Sequence, residues 1–263
     1  MDRSLALVVA LVLFANAAMA DEPSPNLSAS EAAAAIESHF QQLSAFEAVI
    51  HGTIQSPDGK DVVLTAVPVA GNRTQFQFKL SGARGTDTYF RDGAIWYRHL
   101  PEFESYYICR RNSIAGLAAF DPRDAGSPGL HEPLMERLAT DPKPKREERD
   151  DGDVLWRMQG PSRLPVEGWS VQLSKTLHYL PIRSELTFEG RKIMQVDVAY
   201  RQIMEGVYFP KQVTYTYFDD KGKWKQRLIH TIELKSYGDT SPAMVLVPPA
   251  VPPGTRVTRL LDE

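Results

Sequence analysis

Six histidines (His39, His51, His99, His131, His178 and His230) and a single cysteine, Cys109, are the side chains best suited to ligate a metal or act as base or nucleophile. No two histidines stand at metal-ligand spacing, and one cysteine cannot complete a thiolate set. His131-Glu132 with Glu136 has part of the pattern of a metal-binding helix, but the second histidine four residues on is missing. It reads as a charged face. Cys109 ends the strand-like run Tyr106-Tyr107-Ile108-Cys109 and reads as a small buried hydrophobe. No G-x-S-x-G occurs, so a nucleophile elbow is absent. Gly82-Ala83-Arg84-Gly85 precedes a strand pattern, so it cannot cradle phosphate at a helix N-terminus. The carboxylate pairs Asp150-Asp151 and Asp219-Asp220 sit in polar loops, and an unusual carboxyl pKa needs burial. These residues point to a protein that is not an enzyme and carries no metal or cofactor. A secreted hydrolase with dispersed catalytic residues is the weakest of the readings kept open.

The composition narrows the partners. Thirty-three acidic and 30 basic residues in 263 give a net charge of −3, without the basic excess of a nucleic-acid binder. With 43% of residues hydrophobic and 10% aromatic there is ample material for a core, which excludes general disorder. Nineteen prolines and 17 glycines favour a turn-rich chain over a helical bundle.

Met1-Asp2-Arg3, the apolar run over 4–14 and the small-x-small Ala18-Met19-Ala20 have the three-part layout of a secretory signal peptide. The run is shorter than the ~20 residues of a membrane span. Cleavage after Ala20 is expected to leave one domain, Asp21 to Glu263. With no cysteine directly after the apolar run there is no lipid attachment site, and a lone cysteine allows no intrachain disulfide. The mature chain is therefore expected to be exported, soluble, without a stable membrane anchor, and monomeric.

The elements that must position any site follow from periodicity. Ser28-Ala29-Ser30-Glu31 fits a capping box, and Ala32, Ile36, Phe40 and Leu43 make one apolar helical stripe ending near Leu43-Ser44. The period then becomes two. Phe46 to Gln55 and Asp61 to Val69 flank a turn over 56–60, and Thr74 to Leu80 alternates cleanly. Asp92-Gly93 between Tyr89-Phe90 and Ile95-Trp96-Tyr97 signals a tight hairpin. Residues 112–120 fit a short helix capped by Asn112 or Ser113, residues 121–129 a turn-rich loop, and Pro133 to Leu138 a second short helix. Lys143 to Asp153 is a charged run expected as an exposed loop. Strands resume from Val154 to Lys235. About eleven strands and two or three helices give a mainly β chain, an antiparallel meander.

Such a meander must close into a barrel, pair with another sheet, or curl around its few helices, and curling is the economical solution. Alternation assigns Phe76, Phe78, Ile95, Tyr97, Trp156, Met158, Trp169, Val196, Val198, Tyr200, Val213 and Tyr215 to the cleft that a curled sheet leaves where helices fail to fill it. The same alternation would serve a filled core.

The chain also resembles a family. Tyr89-Phe90-Arg91-Asp92-Gly93-Ala94-Ile95-Trp96-Tyr97 is similar to the Y-x-x-D-G-x-x-x-Y hairpin of LolA-like (outer-membrane lipoprotein carrier) proteins. Tyr179 to Arg183 and Gly206 to Lys211 resemble two later strands of distant members, and Val247-Pro248-Pro249 to Val257 resembles the closing PPG-x-x-V. The order of these motifs across the mature chain carries the resemblance, since none is specific alone. It implies an unclosed, strongly curved β-barrel covered by helices, and a loop-rich insertion around Asp121 to Asp153. It further implies a periplasmic, non-catalytic protein whose concave face holds an acyl chain of a lipid or lipoprotein. The alternative on the same fold is an interaction or envelope-sensing module that binds an envelope protein. The arginine that gates release in the carrier itself has no counterpart that can be placed.

Overall fold

A computed structural model describes residues 27–82, 85–93, 95–110, 120–127, 134–159, 168–238 and 246–260. The expected signal peptide and all but the last residue of the expected helix over 112–120 lie outside the described residues.

The chain begins with helix α1 (Ala29–Gln41). Its capping box forms as read: Ser28 N–H donates to Glu31 at 2.7 Å and Glu31 N–H donates to the Ser28 hydroxyl at 3.2 Å. Ala32, Ile36, Phe40 and Leu43 are all buried, so the stripe packs as a unit. Strands β1 (Ala45–Gln55), β2 (Val62–Val63), β3 (Val67–Asn72), β4 (Gln75–Gly82), β5 (Gly85–Asp92), β6 (Ile95–Leu100) and β7 (Ser105–Arg110) follow. A 3₁₀ turn (Pro122–Asp124) and helix α2 (Leu134–Thr140) lead to β8 (Lys145–Glu148) and β9 (Val154–Gln159). Then come β10 (Gly168–Ser174), β11 (Leu180–Phe188), β12 (Arg191–Met204), β13 (Val207–Phe218), β14 (Trp224–Tyr237) and β15 (Arg256–Leu260).

Among the described residues all fifteen strands belong to one sheet, ordered β15-β7-β6-β5-β4-β3-β1-β14-β13-β12-β11-β10-β9-β8, with β2 pairing only β1. The order is linear. Its end strands β15 and β8 do not pair, so the curled sheet stays unclosed, and it is mainly β as expected. Every ladder is antiparallel except that of β15 with β7. Leu246, at the start of the last described segment, packs on Ala70 and Phe90, with Tyr97 packed against them. Tyr106 donates its hydroxyl to the Pro249 carbonyl at 2.9 Å, and β15 is laid along the edge of β7.

Several expectations change. The strand count exceeds eleven, because Asp61 to Val69 divides into β2 and β3, and because β8 and β15 form at the two edges. Lys145 to Glu148, expected within an exposed loop, pairs with Val154 to Arg157. Its charges suit an edge strand, where they discourage pairing with another chain. The segment 121–153 thus holds, besides the short helix expected near Pro133 to Leu138 and found as α2, a 3₁₀ turn and a strand. In the β5–β6 hairpin Asp92 is still paired, to Ile95, so the turn begins only at Gly93 (φ 55°). Among the described residues no helix is long and apolar enough to cross a membrane.

Candidate functional site: the covered concave face

The pleat sends alternate side chains to the concave side. On β4 these are Phe76 and Phe78, on β9 Trp156 and Met158, on β10 Trp169, on β12 Val196 and Val198, and on β13 Val213 and Tyr215; all nine are buried in one core. Tyr200 is half-buried against the same core and donates its hydroxyl to the Pro181 carbonyl at 3.0 Å. Burial pushes the phenols of Tyr200 and Tyr215 far above their usual range. Ile95 and Tyr97 need correction. Trp96 between them belongs to the core, so the two flanking residues face the convex side, where Tyr97 packs on Phe90 at 5.8 Å between ring centres. Three successive large apolar residues left the parity of β6 ambiguous.

Two indoles on this wall stand out. Trp156 opposes Val171, and Trp169 opposes Met158, so the two tryptophans are diagonal neighbours on adjacent strands. Both are almost fully covered, and among the described residues neither indole N–H has a hydrogen-bond partner. Buried donors are ordinarily satisfied, and leaving one unpaired costs about 1–3 kcal/mol.

The cover over the face is made from separate pieces. Helix α1 brings Ala29, Ala32 and Ala33, whose small side chains allow close approach, together with Ile36 and Phe40; α2 brings Leu134 and Leu138. Between them Phe120 inserts a ring that stacks on Phe78 at 4.9 Å and on His230 at 5.6 Å. The residues after it are held by charge. Arg91 donates to Asp121 at 2.6 Å and to Asp124 at 3.3 Å, and Arg123 donates to Asp121 at 2.9 Å. Arg123 also reaches the carbonyls of Asn72 and Gln75. All four charged residues are buried, and both guanidiniums lie over aromatic rings, Arg91 over Trp96 at 5.7 Å and Arg123 over Phe46 at 5.6 Å. Burial alone would raise the Asp121 carboxyl, but Arg123 and Arg91 outweigh it and hold it well below the usual carboxylate range. These four residues were missed in the sequence, where 121–129 read as a turn-rich loop. The legible signal was Arg91, a charge at an inward position two residues from Tyr89.

At its C-terminal end α1 is fixed by His39, buried against β13, with Nε2 3.1 Å from the N–H and 2.9 Å from the C=O of Tyr208. Burial lowers the His39 pKa, the Tyr208 carbonyl offsets part of this, and nearby His178 lowers it further.

The other candidate chemistry disperses. His51 reaches Glu233 at 3.4 Å on the surface, His99 sits beside Tyr106, and His131 lies outside the described residues. Cys109 is buried against the Trp96 carbonyl, and burial pushes its thiol up to about 11, which disfavours the reactive thiolate. Among the described residues no three His, Cys, Asp or Glu side chains cluster as a metal set.

No protein-family model matches the sequence, and no curated protein does. Solved structures do match. A LolA superfamily protein from Nitrosomonas europaea superposes with a TM-score of 0.52 at 11% identity, covering 81% of this chain and 96% of that one. A DUF1329 family protein from Desulfovibrio piger gives 0.53 at 10% identity, covering 82% and 93%. At such identity the likeness speaks for architecture alone, and it agrees with the unclosed, curled sheet and its helices: the fold of this chain is LolA-like.

Proposed function

We propose that the protein is a non-catalytic binding protein of the periplasm that holds an acyl chain, carried by a lipid or lipoprotein, against the concave face. The observation that carries this reading is the pair of buried, unpartnered indole N–H groups of Trp156 and Trp169 on an otherwise apolar wall. An ester or amide carbonyl at the root of an acyl chain supplies the acceptor they lack, while its methylenes suit the surroundings. Each methylene taken out of water contributes about 0.8 kcal/mol, so a chain of about ten leaves several kcal/mol after the costs of association. Entry requires the cover to open, which a cover built from separate pieces permits. The LolA-like fold supports the same reading.

The test is displacement of a fluorescent fatty-acid probe from the purified mature protein, with mass spectrometry for co-purifying lipid. Val198 and Val213 are direct cross-strand partners on the wall. Val198→Trp or Val213→Trp is expected to abolish binding while leaving the far-UV spectrum intact. Trp156→Phe and Trp169→Phe should weaken an ester-bearing ligand several-fold more than a plain hydrocarbon chain. A wild-type protein that binds no probe and carries no lipid would leave the concave face a filled core and put the interaction-module reading first. Export is checked separately, by mass analysis of the N-terminus after expression in a diderm bacterium, where Asp21 is the expected first residue.

A further inference from the structure

The sheet is split along one line. β13 and β14 pair from Phe218 opposite Trp224 to Gln212 opposite Thr231, and the ladder stops there. Beyond that point β14 continues against β1 alone, as far as Tyr237 opposite Phe46, while the start of β13 pairs only with β12. The cause is local. Pro210 has no N–H to give to β14, and a bulge at Ala199/Tyr200 bends the β12–β13 hairpin away. The resulting seam forms an open groove of about 530 Å³, lined by Arg201, Ile203, Leu234, Lys235, Ser236 and Tyr237. That volume is within the usual ~300–1,000 Å³ of small-ligand sites.

The lining divides by chemistry. Ile203 and Leu234 both pack against the main core, so the inner side of the seam is continuous with the concave face. The outer side is polar and cationic. Tyr237 donates to the Ile203 carbonyl at 2.9 Å, Lys235 pairs with Glu233, and Ser236 donates to Glu47 at 3.4 Å. Arg201 differs from these. Among the described residues it has no carboxylate partner, its Nη2 makes only a long bond of 3.4 Å to the Ile232 carbonyl, and its Nε is buried without a partner. A guanidinium so placed is matched by a planar or tetrahedral oxyanion, which can take two parallel bonds from its fork.

We propose that this seam seats the anionic head of an amphiphile, a carboxylate or phosphate carried on an alkyl chain, with Arg201 as counter-ion and the chain passing Ile203 and Leu234 toward the concave face. This rests on the acyl-chain reading above and adds to it a head-group site and a lateral way in.

The experiment compares a dansyl-labelled undecanoic acid with its methyl ester on the mature protein. The wild type should prefer the acid, and Arg201→Glu should cost the acid about tenfold or more while leaving the ester unchanged, since a hydrogen-bonded charge pair is worth about 1.5–3 kcal/mol. Unchanged ester binding also reports that the variant is folded. Arg201→Lys should restore part of the preference. Octyl phosphate should displace the acid where inorganic phosphate at equal concentration does not. Equal binding of acid and ester by the wild type, or a preference that survives Arg201→Glu, overturns the seam site and leaves the acyl-chain reading standing. Inorganic phosphate competing as well as octyl phosphate makes the seam a free-anion site and overturns the amphiphile. Binding of neither probe overturns the underlying reading and this one with it.

Discussion

The loop over 120–127 and helix α1 cover the same apolar face but are fastened by different physics. The loop is clasped by four buried charges, two guanidiniums and two carboxylates, with Asp121 shared between Arg91 and Arg123. The helix lies on alanines and a few larger apolar side chains, and among the described residues its one buried polar tie to the sheet is the His39 imidazole on Tyr208. A buried ion cluster gives little net stability over apolar packing, yet it is costly to break piecemeal, because each partner left behind is a charge out of water. The clasp therefore behaves as all-or-none. A contact made of dispersion and one hydrogen bond loosens in small steps. The contrast suggests that a cover of this kind opens by tilting the helix and not by pulling the loop.

The contrast breaks most sharply at Asp121. Asp121→Ala leaves two buried guanidiniums, Arg91 and Arg123, with Asp124 as the remaining carboxylate of the clasp and is expected to destabilise the fold by about 3–5 kcal/mol. A urea melt with unchanged slope would record it. A loss under about 1 kcal/mol would mean that the clasp is hydrated and the comparison is wrong.

Gly126 gives the next effect. It has φ 91°, and a Cβ there would stand 2.8 Å from Cβ of Pro181 on β11. Gly126→Ala must therefore strain the backbone and push on a buried ring, and a loss of about 2 kcal/mol is expected by the same melt. The Ser184 hydroxyl, which donates to the Gly126 carbonyl, would lose its seat as well. A neutral result would show that the loop end can shift without disturbing β11.

These two regions were unequally legible in the sequence. Helix α1 carries local signals: a capping box and a stripe at helical spacing, both satisfied in the fold. The concave wall was readable wherever polar and apolar residues alternate, as from Gln75 to Leu80. It failed at Ile95-Trp96-Tyr97, where no polar residue marks the outward side. The clasp had no local signal beyond Arg91, since Asp121-Pro122-Arg123-Asp124 is composed like a solvated turn and becomes a core element only through Arg91 and the carbonyls of Asn72 and Gln75. The β8 edge and the parallel β15 are of the same kind. Each is defined by the strand it meets, and strand composition does not record its partner. The seam was half visible: Pro210 inside a strand pattern announces a missing ladder bond, but only the fold shows that Arg201 stands across the gap.

The smallest effect separates the two fastenings by pH. His39 has a depressed pKa when folded, so over the interval below the ordinary imidazole value of about 6.5 the unfolded chain binds a proton that the folded chain refuses. Stability should accordingly be full above that value and fall as pH drops through the interval, levelling out below the folded pKa. Asp121, also depressed, acts in a lower window: its contribution persists until pH falls below the ordinary aspartate value of about 3.9, where the unfolded carboxyl begins to take up protons while the folded one stays ionised. The wild type should thus lose stability in two stages, the helix tie first and the clasp second. His39→Gln should flatten the upper stage and leave the lower one in place, at a cost of about 1 kcal/mol near neutral pH for the bond to Tyr208. Thermal melts at closely spaced pH values would show both stages. An upper stage unchanged in His39→Gln would mean that another group carries it and that α1 has no titrating tie.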